Sequence, residues 1–338
     1  MNQRPLVAIT DYLAEAGPEK AVLDAFAEVV LLQTTDEADV VARAADASVL
    51  LVFHDIKLTE RSIPHLRQCR GIVRCGVGFD NIDLHAAGRH GIVVCNVPDY
   101  GTEEVADHAL MLLLAVARRL VATDQALRDG SWDVTTIFGA PRLRGKTLGL
   151  IGCGRIGTAL ALRAKALGLR VVFYDPYKPD GLDKALGIER CARLDDLLPQ
   201  AQFLSLHCPL TRETRHILNA DTIGRLPRGA YVINTARGAC IDLNALYAAL
   251  ETGHVAAAGL DVFEREPLTD ERIRRHPRVI LSPHVAFYSV EGYIEMRTKG
   301  AQEARRILLG EPVRNPVNLH CLMNPRCAVP RPSPPEAP

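Results

Sequence analysis

The sequence predicts an α/β protein with two doubly wound parallel sheets. Three observations support this fold class: short apolar runs alternate with helical segments, a glycine-rich turn begins near the middle of the chain, and polar residues follow several predicted strands. The chain has 338 residues, of which 48% are hydrophobic, so it is long and apolar enough for two ordinary cores.

The apolar runs give the order of the predicted strands. A parallel sheet is covered by helices on both faces, and its strands therefore read as continuous apolar runs. Before the glycine-rich turn the predicted strands are residues 6–9, 29–32, 49–53, 72–75 and 92–95. Residues 147–151 are the predicted strand that leads directly into the turn, and after it the predicted strands are residues 171–174, 203–207, 230–234, 255–260 and 279–282.

Two long helices are predicted, one between the halves of the chain and one after the last strand. Residues 102–120 form the first, with Thr102 as its N-cap, and we expect it to connect two domains. Residues 293–309 form the second, which ends at Gly310 with Pro312 beyond it.

Composition and charge limit the classes of partner and site that the chain can have. The 40 basic and 40 acidic side chains balance, so no net field attracts a nucleic acid or an anionic membrane. The nine cysteines are odd in number and contain no C-x-x-C pair, which favours a reducing compartment and argues against a zinc site. The longest apolar run, residues 109–117, is far shorter than a membrane span. We therefore expect a soluble cytoplasmic protein.

A dinucleotide site is predicted where the glycine-rich turn joins a strand to a helix. Gly152 suits the tight turn, Gly154 lets backbone N–H groups reach a pyrophosphate, and Gly157 lets the helix pack closely on the sheet. The following strand runs into Asp175, near the usual offset of the carboxylate that binds the ribose 2′-hydroxyl of NAD and repels the 2′-phosphate of NADP.

Chemically useful side chains follow three later strands. Arg237 offers a planar, permanently charged fork that suits a carboxylate and its neighbouring carbonyl. Two carboxylates, Glu264 and Glu266, stand on the next loop, and His284 follows the last strand. Each residue alone could be an ordinary surface group, but their joint position beside a dinucleotide motif favours an acid–base site.

These motifs resemble the D-isomer-specific 2-hydroxyacid dehydrogenases. The resemblance rests on residues 152–157 with Asp175, on 234–238, on 261–267 and on 282–284, and it extends from residue 6 to residue 318. A narrower likeness, to the branch of C-terminal-binding-protein corepressors and their bacterial relatives, rests on residues 72–83, 95–98, 163–168, 173–177 and 286–289.

The resemblance implies a domain organisation and a partner. A flavodoxin-like substrate domain would comprise residues 1–99 and 287–321, with a Rossmann NAD-binding domain of residues 100–286 inserted between them. The proline-rich residues 322–338 lack an apolar period, and we predict that they form a disordered tail. The family likeness also implies a homodimer.

The resemblance further implies roles for individual residues. His284 would be the acid–base catalyst, Glu266 rather than Glu264 would orient it, and Arg237 would bind the substrate. The substrate carboxylate would meet Arg74 and the backbone of Gly76, Val77 and Gly78, with His54 as a further candidate and Phe287 as a pocket wall where the corepressors carry tryptophan. The predicted NAD-binding residues are Gly152, Gly154, Arg155, Ile156, Gly157, Asp175, His207, Pro209, Thr214, Thr235, Ala236, Arg237, Asp261 and His284.

Two functions are compatible with these residues. The first is an NAD-dependent oxidoreductase that transfers hydride between NADH and a small 2-oxo acid such as glyoxylate or hydroxypyruvate. The second is an NAD(H)-responsive scaffold that binds protein partners and has weak turnover, because fold and motif alone do not fix function.

Overall fold

Two compact units make up the chain in the computed structural model, which describes residues 4–330. The first unit runs up to Gly101 and resumes at Ser289, and the second is Thr102–Tyr288. The second unit therefore begins at 102 instead of the predicted 100 and ends at 288 instead of 286. Helices set both borders, because one begins at Thr102 and another is capped by Ser289.

The first unit contains a five-stranded parallel sheet in the order β2-β1-β3-β4-β5. This is the flavodoxin-like order of a doubly wound sheet, in which the carboxyl ends of all strands meet at one edge. Its strands are β1 (Leu6–Ile9), β2 (Glu28–Leu31), β3 (Val49–Val52), β4 (Gly71–Arg74) and β5 (Val93–Asn96). Its helices are α1 (Gly17–Leu23), α2 (Glu37–Ala44), α3 (Leu84–Arg89) and α12 (Val290–Leu309).

A buried ion pair joins the two chain segments of the first unit. Arg297 on α12 donates from Nε and Nη2 to the two carboxylate oxygens of Glu19 on α1, at 2.8 and 2.7 Å. The two side chains are 7% and 0% exposed. Such a bidentate, desolvated pair fixes where the last long helix packs.

The first residues of the predicted disordered tail are held by hydrogen bonds in the structure. Met323 and Arg326 donate backbone N–H groups to the carbonyls of Gly88 and Gly91, both at 2.9 Å. The guanidinium of Arg326 also donates to the carbonyls of Leu66, Arg67 and Cys69 at 3.0–3.2 Å. The prediction of disorder was thus wrong for residues 322–330, because composition does not reveal these hydrogen bonds. Residues 331–338 lie outside the described residues.

The second unit contains a seven-stranded parallel sheet in the order β12-β11-β10-β9-β6-β7-β8. Both parallel sheets confirm the predicted fold class. The strands are β6 (Thr147–Ile151), β7 (Arg170–Tyr174), β8 (Glu189–Arg190), β9 (Phe203–Leu206), β10 (Ala230–Asn234), β11 (Val255–Leu260) and β12 (Val279–Leu281). The helices are α4 (Thr102–Ala117), α5 (Leu120–Arg128), α6 (Arg155–Ala166), α7 (Leu182–Leu186), α8 (Leu194–Leu197), α9 (Ala220–Gly224), α10 (Leu243–Glu251) and α11 (Glu271–Arg274).

The predicted helix over 102–120 ends earlier in the structure, and a second helix follows it. Helix α4 ends at Ala117, and Arg119 then takes a left-handed conformation with φ 52° before α5 begins at Leu120. A non-glycine residue in this conformation has no compositional signal, so the break was not predictable. The helix α4 packs on α6 and on β10 and β11, within the second unit.

The structure also describes the cysteines and the helices on which the expectations about compartment and membrane rested. All nine cysteines lie within residues 4–330 as free thiols, and seven of them are buried. Over the same residues, every helix is either too short or too polar to span a membrane.

We predict that Arg297→Ala lowers the free energy of unfolding by about 3–5 kcal/mol, because it leaves the Glu19 carboxylate buried without its cation. Urea unfolding followed by circular dichroism measures the change. Arg314→Ala removes an exposed arginine of the same unit and should change stability by less than about 0.5 kcal/mol. Equal stabilities for the two variants would contradict the assigned importance of the pair.

Candidate active site

The glycine-rich turn after β6 requires glycine for steric reasons. Gly152 has φ +94°, and a Cβ there would lie 2.8 Å from the backbone of His207 and Cys208. A Cβ on Gly157 would overlap the carbonyl oxygen of Gly152. At Gly154, the N-cap of α6, a Cβ would meet nothing within 4 Å, so the structure has open space beside this residue.

Asp175 follows β7 and is held over this turn. Its carboxylate accepts the N–H of Cys153 at 2.9 Å and the N–H of Tyr177 at 3.1 Å. The two bonds use one lone pair of each oxygen, so the carboxylate can still accept a sugar hydroxyl.

The loops after β9 and β10 supply the remaining predicted cofactor residues. The carbonyl of Pro209 accepts the Thr214 hydroxyl at 2.6 Å, which closes the loop after β9. Burial lowers the pKa of His207 to about 4, so its ring is neutral at pH 7, and it lies 2.9 Å from the hydroxyl of Ser205. Ala236 donates its N–H to the Asn234 side chain at 3.0 Å.

These residues fit a dinucleotide. Arg155 and Ile156 begin α6 next to Gly154, the N-cap of the helix. Thr235 contributes a buried hydroxyl for which the described residues provide no hydrogen-bond partner, so the site contains a polar atom that a ligand can satisfy. Backbone N–H groups at the helix N-terminus suit a pyrophosphate, and Asp175 suits a ribose.

Glu266 and His284 form the predicted acid–base pair. The Nδ1 atom of His284 lies 2.8 Å from Oε2 of Glu266, and Oε1 of Glu266 accepts the N–H of Phe263 at 2.9 Å. An ionised carboxylate only accepts hydrogen bonds, so Nδ1 carries the proton, and exchange with a substrate would run through Nε2.

The structure separates the two candidate carboxylates of this loop. Glu264 contacts Nε2 of His216, and its Oε1 lies 3.9 Å from a guanidinium nitrogen of Arg215. Only Glu266 reaches the ring of His284. The geometry therefore supports the assignment of Glu266 over Glu264.

Arg237 lies on the loop after β10, next to the loop that carries Glu266. A Cβ on Gly238 would overlap the backbone of Phe263 and Glu264, so the two loops touch through this glycine. One guanidinium nitrogen of Arg237 donates to the carbonyl of Ala236 at 2.8 Å. Arg237, Glu266 and His284 thus stand on neighbouring loops at the carboxyl edge of the seven-stranded sheet.

The carboxylate of Asp261 binds the loop of His284. It accepts the Ser282 hydroxyl at 2.6 Å and the N–H groups of Val285 and Ala286, both at 3.0 Å. His108 on α4 lies 2.8 Å from the same hydroxyl. Sequence reasoning named Asp261 only as a cofactor ligand and missed His108 altogether, although a histidine on the buried face of an apolar helix is a usable signal.

Phe287 ends this loop region. Its ring makes an edge contact with Tyr288, with 6.4 Å between the ring centroids, and it is half-buried. Its predicted role as a pocket wall stays a prediction.

The first unit carries the remaining predicted substrate residues at the carboxyl edge of its own sheet. His54 follows β3 and bonds Asp55 through Nδ1 at 2.8 Å, and Arg74 ends the neighbouring β4. Gly76 has φ +146°, and a Cβ there would overlap the Arg74 guanidinium, so glycine permits the observed position of that side chain. Asn96 holds the turn of Val77 and Gly78 by donating to the Val77 carbonyl at 2.7 Å.

Comparison with known proteins identifies the family. Residues 110–286 match the family model described as D-isomer specific 2-hydroxyacid dehydrogenase, NAD binding domain. The match spans more than half of the chain and contains the glycine-rich turn, Arg237, Glu266 and His284. The chain belongs to the D-isomer-specific 2-hydroxyacid dehydrogenase family.

Individual relatives agree with this assignment. A D-3-phosphoglycerate dehydrogenase from Methanocaldococcus jannaschii is 37% identical over 313 residues, which cover 93% of this chain and 59% of the relative. The chain thus spans about three fifths of the length of the curated relatives it matches.

Two solved structures are similar over nearly their whole length. An NADPH-dependent glyoxylate/hydroxypyruvate reductase from Sinorhizobium meliloti is 33% identical with a TM-score of 0.84, covering 93% of this chain and 97% of that one. A glyoxylate reductase from Paecilomyes thermophila is 28% identical with a TM-score of 0.86, covering 94% and 99%. The relatives do not single out the corepressor branch, and that narrower likeness stays a prediction.

We predict that Gly157→Ala weakens NADH binding by about tenfold or more, because the added Cβ separates α6 from the turn that should hold the pyrophosphate. Fluorescence titration with NADH measures the affinity. Gly224→Ala is the matched control, since Gly224 also lies in a helix but a Cβ there meets nothing within 4 Å. Unchanged affinity in Gly157→Ala would show that the turn does not contact the cofactor.

Proposed function

We propose that this protein catalyses the reversible NADH-dependent reduction of a small 2-oxo acid to the D-2-hydroxy acid. The observation that carries the proposal is the 2.8 Å contact between Glu266 and Nδ1 of His284, in the same unit as the glycine-rich turn. A histidine whose tautomer is fixed by a carboxylate is suited to proton transfer near neutral pH.

His284 supplies the proton in this proposal. Bound NADH supplies the hydride that reduces the carbonyl carbon. As negative charge develops on the carbonyl oxygen, the imidazolium of His284 donates a proton from Nε2, while Glu266 stabilises the ring through Nδ1. In the oxidative direction the neutral ring accepts that proton. His207 does not compete, because its lowered pKa of about 4 keeps it neutral.

Arg237 binds the substrate in this proposal. Its guanidinium can pair with the carboxylate of a 2-oxo acid and polarise the adjacent carbonyl, which a lysine could not do with the same two-pronged geometry. The hydrogen bond to the Ala236 carbonyl limits the freedom of the side chain and so orients it before substrate arrives.

The names of the relatives support a short substrate. The Sinorhizobium meliloti and Paecilomyes thermophila proteins are named as reductases of glyoxylate or hydroxypyruvate. We therefore propose glyoxylate and hydroxypyruvate as the first substrates to examine, with Arg74, the 76–78 turn and His54 as candidate contacts from the first unit. The Methanocaldococcus jannaschii relative makes 3-phosphohydroxypyruvate a further candidate.

A homodimer is also part of the proposal. The segment from α5 to Phe138 exposes several large apolar side chains, including Trp132 at 85% and Phe138 at 64%. Exposed apolar side chains of this size on one segment of the chain favour a protein interface. Leu120, Val121 and Leu127 on α5 are likewise more than half exposed.

We predict that His284→Gln slows the turnover of every 2-oxo acid substrate by about 10²-fold or more, because the proton donor is lost. The variant should still bind NADH, because the glycine-rich turn and Asp175 are unchanged. Steady-state assays with glyoxylate, hydroxypyruvate, pyruvate and phenylpyruvate measure the effect. His320→Gln, at an exposed histidine of the first unit, is the control.

The result also distinguishes the enzyme from the scaffold hypothesis. Full activity of His284→Gln when hydride transfer limits the rate would place the proton donor elsewhere. If the wild-type protein binds NADH but reduces neither these acids nor 3-phosphohydroxypyruvate, the NAD(H)-responsive scaffold becomes the better account.

We predict that the wild-type protein has a higher kcat/KM with NADH than with NADPH. Asp175→Asn should bring the two kcat/KM values closer together. Asparagine keeps an acceptor for the Cys153 N–H but removes the charge that repels a 2′-phosphate. Asp180→Asn, at an exposed carboxylate of the same loop, should leave the ratio of the two values unchanged. Equal kcat/KM values for both cofactors in the wild type would show that Asp175 does not face the ribose.

A further inference from the structure

A chain of hydrogen bonds connects helix α4 to the loop that carries His284. The Nε2 atom of His108 lies 2.8 Å from the Ser282 hydroxyl oxygen and 3.6 Å from Oδ1 of Asp261. The Ser282 hydroxyl lies 2.6 Å from the same carboxylate oxygen. The His108 and Asp261 side chains are 17% and 1% exposed, so water competes little for these bonds.

The proton count fixes the direction of each bond. The carboxylate of Asp261 accepts two backbone N–H groups and the Ser282 hydroxyl. Ser282 therefore donates its one hydroxyl proton to Asp261. The Ser282 oxygen must then accept from His108. Nε2 of His108 therefore carries a hydrogen, and the histidine is either the Nε2–H tautomer or the imidazolium.

The same network fixes the backbone on both sides of His284. Ser282 donates its N–H to the Leu260 carbonyl at 3.0 Å, and His284 donates its N–H to the Asp261 carbonyl at 2.8 Å. Val285 and Ala286 donate to the Asp261 carboxylate. This loop is thus wrapped around the end of β11.

The loop needs this support because His284 has φ 55°, in the left-handed region. A non-glycine residue stays in that conformation only where the surrounding contacts determine it. The conformation sets the direction in which the imidazole leaves the backbone, and so it bears on the contact with Glu266.

We propose that His108 is a positioning residue that holds His284 in its reactive orientation through Ser282 and Asp261. This inference rests on the proposed function, in which His284 transfers the proton. Without His108 the Ser282 oxygen loses its donor, Ser282 can turn away from Asp261, and the loop can relax from its left-handed conformation. Arg237 stands on a different loop, so substrate binding is not affected to the same degree.

The test compares His108→Ala with His108→Gln, because the amide nitrogen of glutamine reaches nearly the position of Nε2 and keeps a donor. We expect His108→Ala to lower kcat about tenfold with KM for the 2-oxo acid within about twofold of wild type, as for misplacement of a reacting group. His108→Gln should recover most of kcat. Met111→Ala, an exposed change on the same helix, is the control for helix stability.

A second measurement does not depend on turnover. Two-bond ¹H–¹⁵N correlation spectra of the imidazole rings report the tautomer of His108, which is assigned by its absence from His108→Gln. We expect Nε2 to be protonated at pH 8 and the ring signals of His284 to move in His108→Ala, but not in Met111→Ala. If the wild type reduces no 2-oxo acid, the proposed function fails while these spectra still test the positioning.

Three results would overturn the inference. One is an unprotonated Nε2 on His108 in the wild-type spectrum. Another is a His108→Ala variant whose kcat and His284 signals both match those of the wild type. The third is an equal loss of kcat in the Ala and Gln variants with unchanged thermal unfolding, since the donor would then be irrelevant.

Discussion

The buried carboxylate of Asp261 is the constraint on which the arrangement of the loop that carries His284 depends. A fully buried charge is costly unless hydrogen bonds satisfy it, and this one takes three donors from residues 282–286. Because Asp261 directly follows β11, the rigid sheet fixes where those donors must lie. The cost of desolvating one carboxylate thereby specifies the path of a loop that has no regular secondary structure of its own.

Glu266 is also a carboxylate that is engaged through both oxygens, but it contacts the ring of His284 instead of the backbone of the His284 loop. One of its oxygens accepts the N–H of Phe263 within its own loop, and the other contacts His284. The first bond orients the carboxylate, and the second selects the tautomer of the ring. Asp261 therefore places the backbone of His284, and Glu266 places its proton.

Much of the fold was predictable because buried parallel strands are continuous apolar runs, and β1, β6, β10 and β11 have the predicted bounds. The short edge strand β8 was missed, because two residues are too few to show an apolar run or an alternating pattern. The glycine-rich turn could be predicted because the close backbone contacts at Gly152 and Gly157 require glycine at those positions. The role of Asp261 on the loop and the ordered segment after residue 321 could not be predicted, because they depend on contacts between residues far apart in the chain. His108 was missed although its place on the buried face of an apolar helix is a signal.

The ion pair between Glu19 and Arg297 joins positions that are 278 residues apart. Its unit is built from both ends of the chain, whereas the other unit is one continuous segment. During synthesis on the ribosome, the continuous segment emerges completely before α12 does, although it is encoded after the first five strands. The unit that begins the sequence is therefore the last to be completed, and until then its sheet lacks the helix that packs against β3 and β4.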